Sequence, residues 1–379
     1  MAISYPIVAK QTRLRAEPRA DRLFFLDNLR VFATCVVIAH HVGQAYGPTG
    51  GAWPVGETLR AAVLGPFFTV NRSFGMSLFF LIAGYMMVRS YEAHGPRPFV
   101  IGRLTRLGIP LLIFMMLTVP VMMLMGAAPL ETGRIFGLPK PDALHLWFVQ
   151  HLLIYSLCYA GLRAYQSRRS SKKPPIVEAA PVPSSAIIVL FALTLATISA
   201  TVRIWFPIDY WLTPGFIRVA FADVPRDLSF FVIGVLACRH DWLRRCPSRT
   251  GYAWLMAGLL LGMFWYLYAW RSPEPVSIPN GGAGLLLYAV WESLLCSGMC
   301  IGLVVLFRDF ANVRTPLLAE FSHSQYLAYV IHVIPVLALQ AAALALPISP
   351  LAKFLLVTIT AVPLAFVVAS LLRRPLKMG

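Results

Sequence analysis

Two ionisable residues, Arg30 and His41, lie in one apolar stretch of sequence, NLRVFATCVVIAHHVGQAY, with ten residues between them. At about 100° per residue, eleven steps make three turns plus about 20°, so an α-helix places both side chains on one face. A rise of ~1.5 Å per residue separates them by ~16 Å along the helix axis. Ionisable groups inside an apolar span are costly, and they mark functional sites by default. The pair therefore predicts a site reached from both sides of a membrane, with a cation at the helix mouth and a titratable base half-way along.

The imidazole of His41 is the candidate base, because it titrates near neutrality and can take a proton from a hydroxyl in a transition state. The adjacent His40 points about 100° away around the helix and is a rival for the same role, although its phase relative to Arg30 is less favourable. A packing histidine bonded to a neighbouring span is the structural alternative. Asp27 precedes Arg30 by three residues. It either forms a simple ion pair with Arg30 or orients that guanidinium towards a ligand.

A second group of cations occurs in the segment VIGRLTRLGIP, where Arg103 and Arg106 are spaced i, i+3 on one side of a helix entrance. Guanidinium groups bind phosphates through planar, bidentate hydrogen bonds. Together with Arg30, they would suit a phosphorylated donor at one inner vestibule, and Pro110 permits a kink where it could open. The alternative is that all three arginines only fix the membrane topology.

Four further polar residues interrupt apolar runs. In HLWFVQHLLIYS, His145 lies at the predicted outer interface. His151 lies about one turn deeper and is either a second proton carrier or a bonded packing residue, and we favour packing. In SQYLAYVIHVIP, His332 lies well inside a span and has either a functional or a packing role. In YAVWESLLCSG, Glu292 requires a histidine or arginine partner from another helix, or else a neutral state. We assign Asp27, His145, Glu292 and His332 as supporting residues of the site.

The composition indicates a membrane protein. Of 379 residues, 58% are hydrophobic and 13% are charged, which is too apolar for a soluble globule of this size. The long Leu, Val, Ile, Ala and Met runs do not alternate as the strands of an outer-membrane barrel do. We therefore predict an all-α fold, a polytopic membrane helical bundle of about ten transmembrane helices. The expected spans are 25–46, 73–90, 107–128, 146–164, 184–206, 227–240, 251–270, 283–307, 318–345 and 351–372.

The net charge of +17 does not imply a nucleic-acid partner. Most Lys and Arg residues lie in short segments between alternate spans, which is the positive-inside pattern and places both termini in the cytoplasm. Residues 1–22 form a basic tail without a small-residue cleavage site, so we expect an uncleaved signal-anchor. The six cysteines show neither metal-ligand spacing nor a disulfide framework, and we expect no metal.

The largest predicted outer segment, residues 204–227, reads IWFPIDYWLTPGFIRVAFADVPRD and mixes aromatic with charged residues. Its Trp and Tyr side chains have two interpretations. They are either interfacial anchors, as aromatic residues at membrane boundaries often are, or stacking platforms for sugar rings.

Several blocks of the sequence, in order, resemble the acyltransferase-3 family of polytopic membrane acyltransferases. FFLDNLRVFATCVVIAHH resembles the family's opening, in which Arg or Lys is followed after ten residues by the essential His, and this assigns Arg30 and His41. GRLTRLGIP carries the Arg-x-x-Arg motif as Arg103 and Arg106. SLFFLIAGYMM resembles the aromatic second span, with Ala83 where the family commonly has Ser. Three further blocks are HLWFVQHLL, DLSFFVIGVLA and SQYLAYVIHVIP.

The resemblance implies an enzyme that moves an acyl group, often acetyl or succinyl, from a cytoplasmic acyl-CoA donor to a hydroxyl of an extracytoplasmic or lipid-linked glycan. It implies a transmembrane acyltransferase domain over 23–375, of the stand-alone type found among bacterial glycan O-acetyltransferases and periplasmic glucan succinyltransferases, in the bacterial inner membrane. Arg30, Arg103 and Arg106 would bind the donor phosphates, and His41 would act as general base or carry the acyl group transiently. Acyl-CoA would be a substrate, with no cofactor bound permanently. The acceptor, the acyl group and the oligomeric state do not follow from the sequence.

Two other classes of function fit parts of the sequence. A transporter or flippase of small polar or lipid-linked molecules would also have many spans and intramembrane histidines. The chain shows no two-half repeat, which is a frequent sign of alternating-access transporters. A non-catalytic scaffold would not need to bear the desolvation cost of the Arg30 and His41 pair.

Overall fold

The computed structural model describes residues 23–48, 53–124, 134–135, 138–139, 141–169, 179–272 and 281–376. The basic tail of residues 1–22 lies outside the described residues. Within the described ranges the chain is almost entirely helical; two short strands, β1 (Arg134–Ile135) and β2 (Leu138–Pro139), pair antiparallel. The helices are α1 (Phe24–Gly43), α2 (Leu64–His94), α3 (Pro96–Arg103), α4 (Ile109–Leu124), α5 (Trp147–Arg169), α6 (Ser185–Trp205), α7 (Val224–Arg239), α8 (Trp242–Arg245), α9 (Ser248–Arg271), α10 (Gly282–Phe310), α11 (Pro316–Ile331), α12 (Val333–Leu344) and α13 (Pro350–Leu376).

Seven helical segments in the described part of the chain are long and apolar enough to cross a membrane. They are α1, α2, the continuous stretch Pro96–Leu117, α6, α9, α10 and α13. Helices α11 and α12 meet at an angle of 65° and make an eighth span if the bent pair crosses as one. The all-α membrane fold is therefore confirmed. The predicted number of ten spans is not confirmed. Helix α7 has only 16 residues, and α5 carries polar and basic side chains along much of its length. The orientation of the termini stays a prediction.

Helix α1 lies at the centre of the bundle, where two buried clusters meet. One cluster joins its first turns to α2, α7 and α10, and the other joins its later turns to α11, α12 and α13. In contrast, α6, α9 and α13 expose many Leu, Ile and Phe side chains on their outer faces. Asp27, Asn28 and Thr34 on α1 are thus surrounded by protein, whereas the peripheral helices present the apolar surface that a bilayer requires.

Glycine allows α2 and α7 to pack backbone against backbone. A Cβ atom on Gly84 would lie 2.1 Å from the carbonyl oxygen of Phe231, and one on Gly234 would lie 2.1 Å from that of Leu81. Small residues at such crossings let membrane helices approach closely. The segment MSLFFLIAGYMMV, which contains the Ala83–Gly84 pair, therefore forms a tight helix–helix contact.

Substituting Gly84→Ala is expected to destabilise the protein by about 1–3 kcal/mol, because the new methyl group collides with a carbonyl oxygen that has no free side-chain end to move away. Gly75→Ala on the same helix is the matched control. A Cβ there meets nothing within 4 Å, and replacing a mid-helix glycine is favourable by itself. Thermal unfolding of both variants in detergent checks the prediction. Equal melting temperatures for the two variants would contradict it.

Candidate active site

Three imidazole rings from distant parts of the chain meet beside α1. His41 lies in the last turn of α1, so the prediction of a base half-way along this helix is wrong. His145 lies in the 3-10 turn before α5, and His332 lies at the break between α11 and α12. Ring centroids are 4.9 Å apart for His41 and His332, 5.0 Å for His145 and His332, and 6.1 Å for His41 and His145. The structure thus brings together three of the histidines that the sequence singled out separately.

The hydrogen bonds around His332 determine where the protons of the neutral rings lie. His332 Nδ1 is 2.7 Å from the carbonyl oxygen of Tyr329, which can only accept, so Nδ1 carries the proton and Nε2 holds a lone pair. His41 Nδ1 lies 3.0 Å from that Nε2 and 3.0 Å from the carbonyl oxygen of Val37. Both neighbours accept, so the proton of His41 is on Nδ1. Its Nε2 is then an unprotonated nitrogen that can accept a proton.

His145 supports this arrangement from the side. The Nε2 of His145 lies 3.1 Å from the carbonyl oxygen of Val330, and the Tyr329 hydroxyl donates to the carbonyl oxygen of His145 at 2.6 Å. These bonds tie the turn before α5 to the last turn of α11. The three rings do not converge as metal ligands, since the described residues contain no group of three His, Cys, Asp or Glu side chains that could hold an ion.

Two residues without any sequence signal fix the other side of the His41 ring. Trp53 stacks on it at 5.6 Å between centroids and 24° between planes. The Trp53 indole donates to Gln340 Oε1 at 2.8 Å, and Gln340 Nε2 donates to the carbonyl oxygens of His41 and Val42 at 3.1 and 2.9 Å. Gln340 thereby binds two carbonyl groups of the last turn of α1, where a helix leaves carbonyls short of intrahelical partners; the His41 carbonyl also accepts from the backbone N–H of Gln44. His40, by contrast, packs its ring against those of Phe67 and Phe68.

A cavity of about 780 Å³ runs along α1. Its α1 wall extends from Phe32 to Gln44 and includes both His40 and His41, a length of ~18 Å at the helical rise. At one end of this wall, Phe32 lies two residues after Arg30 on α1. The volume lies within the range of ~300–1,000 Å³ that is common for small-molecule sites.

The opposite wall of the cavity is polar and charged. Arg72 on α2 pairs with Asp209 and, at 3.1 Å, with Asp223. Five further residues from other elements also line this side of the cavity. They are Asn71 on α2, Trp211 in the segment before α7, Arg226 on α7, Trp265 on α9 and Tyr288 on α10. The cavity therefore combines an aromatic lining with paired charges, and the sequence did not identify these residues as parts of one site.

A buried ion network lies behind that wall. Glu292 on α10 accepts from Arg226 at 2.5 Å and from Arg203 at 2.6 Å, and both guanidiniums lie within 3.6 Å of Asp223. The sequence-based requirement for an arginine or histidine partner of Glu292 is met twice. Burial alone would raise the pKa of Asp223, but the guanidiniums of Arg72, Arg226 and Arg203 outweigh it and hold that pKa below its ordinary value.

The three arginines predicted to lie on the inner side are not part of the cavity wall. Arg30 pairs with Asp27 at 2.5 Å, as the spacing predicted. Arg103 places its guanidinium 4.9 Å from the centre of the Phe99 ring, and Arg106 is exposed on the π-helical turn Leu104–Gly108. None of the three arginines is among the described residues that line the cavity, so their role in binding donor phosphates stays a prediction.

Sequence reasoning missed Arg72, Arg203 and Arg226, although one signal was available. All three lie near span ends assigned to the outer side, where the positive-inside rule disfavours arginine. Arginines that break this rule need carboxylate partners, and Asp223 and Glu292 provide them. No comparable signal exists for Trp53 or Gln340, whose contacts join residues 287 positions apart.

The fold and the site define a multi-pass helical membrane protein that contains an imidazole-based site in an internal cavity. Residues 23–370 match the model of the acyltransferase-3 family, described as an acyltransferase domain, and the chain belongs to this family. It is therefore a membrane acyltransferase.

The chain is also similar to proteins named glucans biosynthesis protein C from Salmonella paratyphi B, Salmonella dublin and Salmonella choleraesuis. Each is 26% identical over 244 residues, which cover 61% of this chain and 62% of the relative. The similarity thus spans less than two thirds of the length of these relatives.

Proposed function

We propose that this enzyme moves an acetyl or succinyl-type group from an acyl-CoA donor to a hydroxyl of an extracytoplasmic or lipid-linked glycan, in the bacterial cytoplasmic membrane. Family membership supports the acyl transfer, and the name of the relatives supports a glucan as the acceptor. One observation carries the assignment of the site. The Nδ1 of His41 is occupied by two acceptors, so its Nε2 is left with a lone pair on a residue that lines the cavity.

In the proposed reaction, an acceptor hydroxyl in the cavity donates to His41 Nε2. The nitrogen takes the proton as the oxygen attacks the thioester carbonyl carbon, and the carbon–sulfur bond breaks. The thiolate of CoA leaves and receives that proton from the imidazolium. While His41 is protonated, its Nδ1–H still faces two acceptors, the Val37 carbonyl oxygen and His332 Nε2, which stabilise the positive charge. General base catalysis of this type contributes ~10²–10⁴-fold.

The shape of the cavity supports opposite routes for the two substrates. The positive-inside pattern puts Arg30, Arg103 and Arg106 on the cytoplasmic side, where the charged part of CoA would stay. The pantetheine arm would pass Arg30 and follow the α1 wall from Phe32 towards His41. The acceptor would enter at the Gln44 end, beside the outer segment that contributes Asp209 and Trp211.

His332 is expected to act as a positioning residue in this scheme. Replacing it with alanine removes one of the two acceptors of the His41 Nδ1 proton and leaves the ring less firmly oriented. Losing the partner that hydrogen-bonds a metal-bound histidine costs about 10–100-fold in activity. By analogy we expect kcat to fall by about that factor here, with little change in the acceptor KM. His332→Gln offers an amide oxygen near the position of Nε2 and should recover part of the loss. Steady-state kinetics of both variants checks this, and a purely structural role would lower expression without the recovery by glutamine.

The experiment that tests the function uses the purified protein in nanodiscs, with acetyl-CoA or succinyl-CoA and a gluco-oligosaccharide. We expect release of free CoA thiol that depends on the oligosaccharide, and a mass increase of the sugar equal to one acyl group. The donor that supports the reaction identifies the acyl group. Movement of the oligosaccharide across proteoliposomes without any covalent change would favour a transporter and contradict the proposal.

A further inference from the structure

The aromatic residues of the outer segment before α7 divide into two groups by location. Trp205, Tyr210 and Phe216 are exposed, Trp205 by 66%, as expected for anchors at a membrane interface. Trp211 is half-buried and lines the cavity. An interfacial anchor has no reason to face a cavity, so Trp211 requires another explanation.

The indole of Trp211 is held in a fixed position from two sides. The guanidinium of Arg218 lies 4.7 Å from the centre of its ring, and Trp147 meets it edge-on at 5.6 Å. Arg218 is itself fixed by Asp142 at 2.8 Å and by Gln150, whose Oε1 accepts from the Arg218 backbone at 2.8 Å. A rigid aromatic ring loses little conformational entropy when a ligand stacks on it.

The backbone around Trp211 is fixed as well. Leu212 and Val219 exchange two backbone hydrogen bonds, at 2.9 and 2.8 Å, and Gln150 donates to the Phe216 carbonyl oxygen at 2.7 Å. The segment therefore forms a short hairpin that is attached to α5 and carries Trp211 at the edge of the cavity. The ring is presented by a defined structure and does not depend on a loose loop.

Charged hydrogen-bonding groups accompany the ring on the cavity wall. Asp209 lies two residues before Trp211, with 61% of its side chain exposed, and pairs with the partly exposed Arg72. A carboxylate accepts from hydroxyl groups and a guanidinium donates to them. An apolar flat surface with a few polar groups at its edge fits a sugar, which has an apolar C–H face and a rim of hydroxyls.

We propose that Trp211 is the platform on which a glucose ring of the acceptor stacks, with Asp209 and Arg72 binding hydroxyls at the edge of that ring. The inference rests on the proposed function, because it takes the acceptor to be a glucan. It adds the position of the sugar, between the hairpin and α2, in the same cavity that contains His41.

Binding can be measured apart from catalysis in a His41→Ala background, with maltohexaose and cellohexaose as probes in calorimetric titrations of the protein in nanodiscs. We expect at least one probe to bind. Trp211→Ala should weaken that binding about tenfold or more, as removal of a central aromatic contact commonly does. Trp205→Ala, which removes an exposed tryptophan of the same segment, should leave the affinity unchanged.

A second variant covers the case in which Trp211→Ala does not fold. Asp209→Asn changes an exposed side chain at a residue with φ of 70°, a conformation that asparagine also tolerates. It should weaken probe binding several-fold and, in the His41-containing enzyme, raise the acceptor KM several-fold. Trp211→Tyr should bind better than Trp211→Ala.

The outcomes separate this inference from the proposed function. Three results would overturn the glucose platform, even if acyl transfer is found. They are unchanged affinity in Trp211→Ala and Asp209→Asn, an equal loss of affinity in Trp205→Ala, and no binding of either probe to the parent protein. Suppose that Trp211→Ala loses probe binding, that Trp205→Ala keeps it, and that the His41-containing enzyme transfers no acyl group. These results would support the platform and contradict the proposed chemistry.

Discussion

Replacing His41 with alanine is expected to lower acyl transfer by about 10²–10⁴-fold, because the reaction then lacks the base that accepts the hydroxyl proton. The loss should appear in kcat, with donor and acceptor binding largely kept, since the ring occupies one patch of a cavity of about 780 Å³. Thiol release and the mass of the acylated oligosaccharide measure the effect. Size-exclusion profiles in detergent confirm that the variant still inserts and folds.

Two further histidines serve as controls for that experiment. His323→Ala changes an exposed imidazole on α11 and should have no effect. His40→Ala changes the neighbour of His41 in the same cavity and should act only through packing against Phe67 and Phe68. Full activity of His41→Ala, or an equally large loss in His40→Ala, would contradict the assignment. Acyl label that remains on the protein when donor is supplied without acceptor would favour an acyl-histidine intermediate over general base catalysis.

The second large effect is expected for Glu292→Gln, which should destabilise the fold by about 3–5 kcal/mol. The carboxylate is 1% exposed and lies between two guanidiniums that are equally buried. Removing its charge leaves Arg203 and Arg226 with only part of their compensation, in surroundings that cannot hydrate them. The apparent melting temperature in detergent, followed by tryptophan fluorescence, should fall markedly.

Asp241→Asn is the matched control for this prediction, because it makes the same kind of change in an exposed pair. Asp241 and Arg244 are 3.9 Å apart, with about two fifths of each side chain exposed, and such surface pairs contribute ~0–1 kcal/mol. Similar melting temperatures for the two variants would show that the Glu292 network does not stabilise the bundle. Glu292→Gln should also affect activity, since Arg226 and Asp223, which belong to the same ion network, form part of the cavity wall.

The elements that the sequence predicted best are those set by local patterns. The apolar runs predicted the helices, and the three-residue spacing of Asp27 and Arg30 predicted their ion pair. Each of these depends on residues within a few turns of one another, or on one helix face, which helical periodicity determines.

The meeting of His41, His145 and His332 could not be predicted, because it depends on how distant helices pack. The bond between His332 and His41 joins residues 291 positions apart, and no periodicity relates two helices so far apart in sequence. The bend between α11 and α12 is also needed, since it places His332 at a helix break beside α1. For the same reason the sequence required a partner for Glu292 but could not say that Arg203 and Arg226 provide it.

The length of the cavity along α1 has a consequence for how material crosses the bilayer. Under the proposed orientation, the nucleotide carrier stays in one aqueous compartment and the oligosaccharide stays in the other. Only a group of a few carbon atoms passes from one side to the other, bonded first to sulfur and then to oxygen. The permeability barrier would then be maintained for both large polar molecules, and translocation would need no ion gradient, because cleavage of the thioester makes the passage one-way.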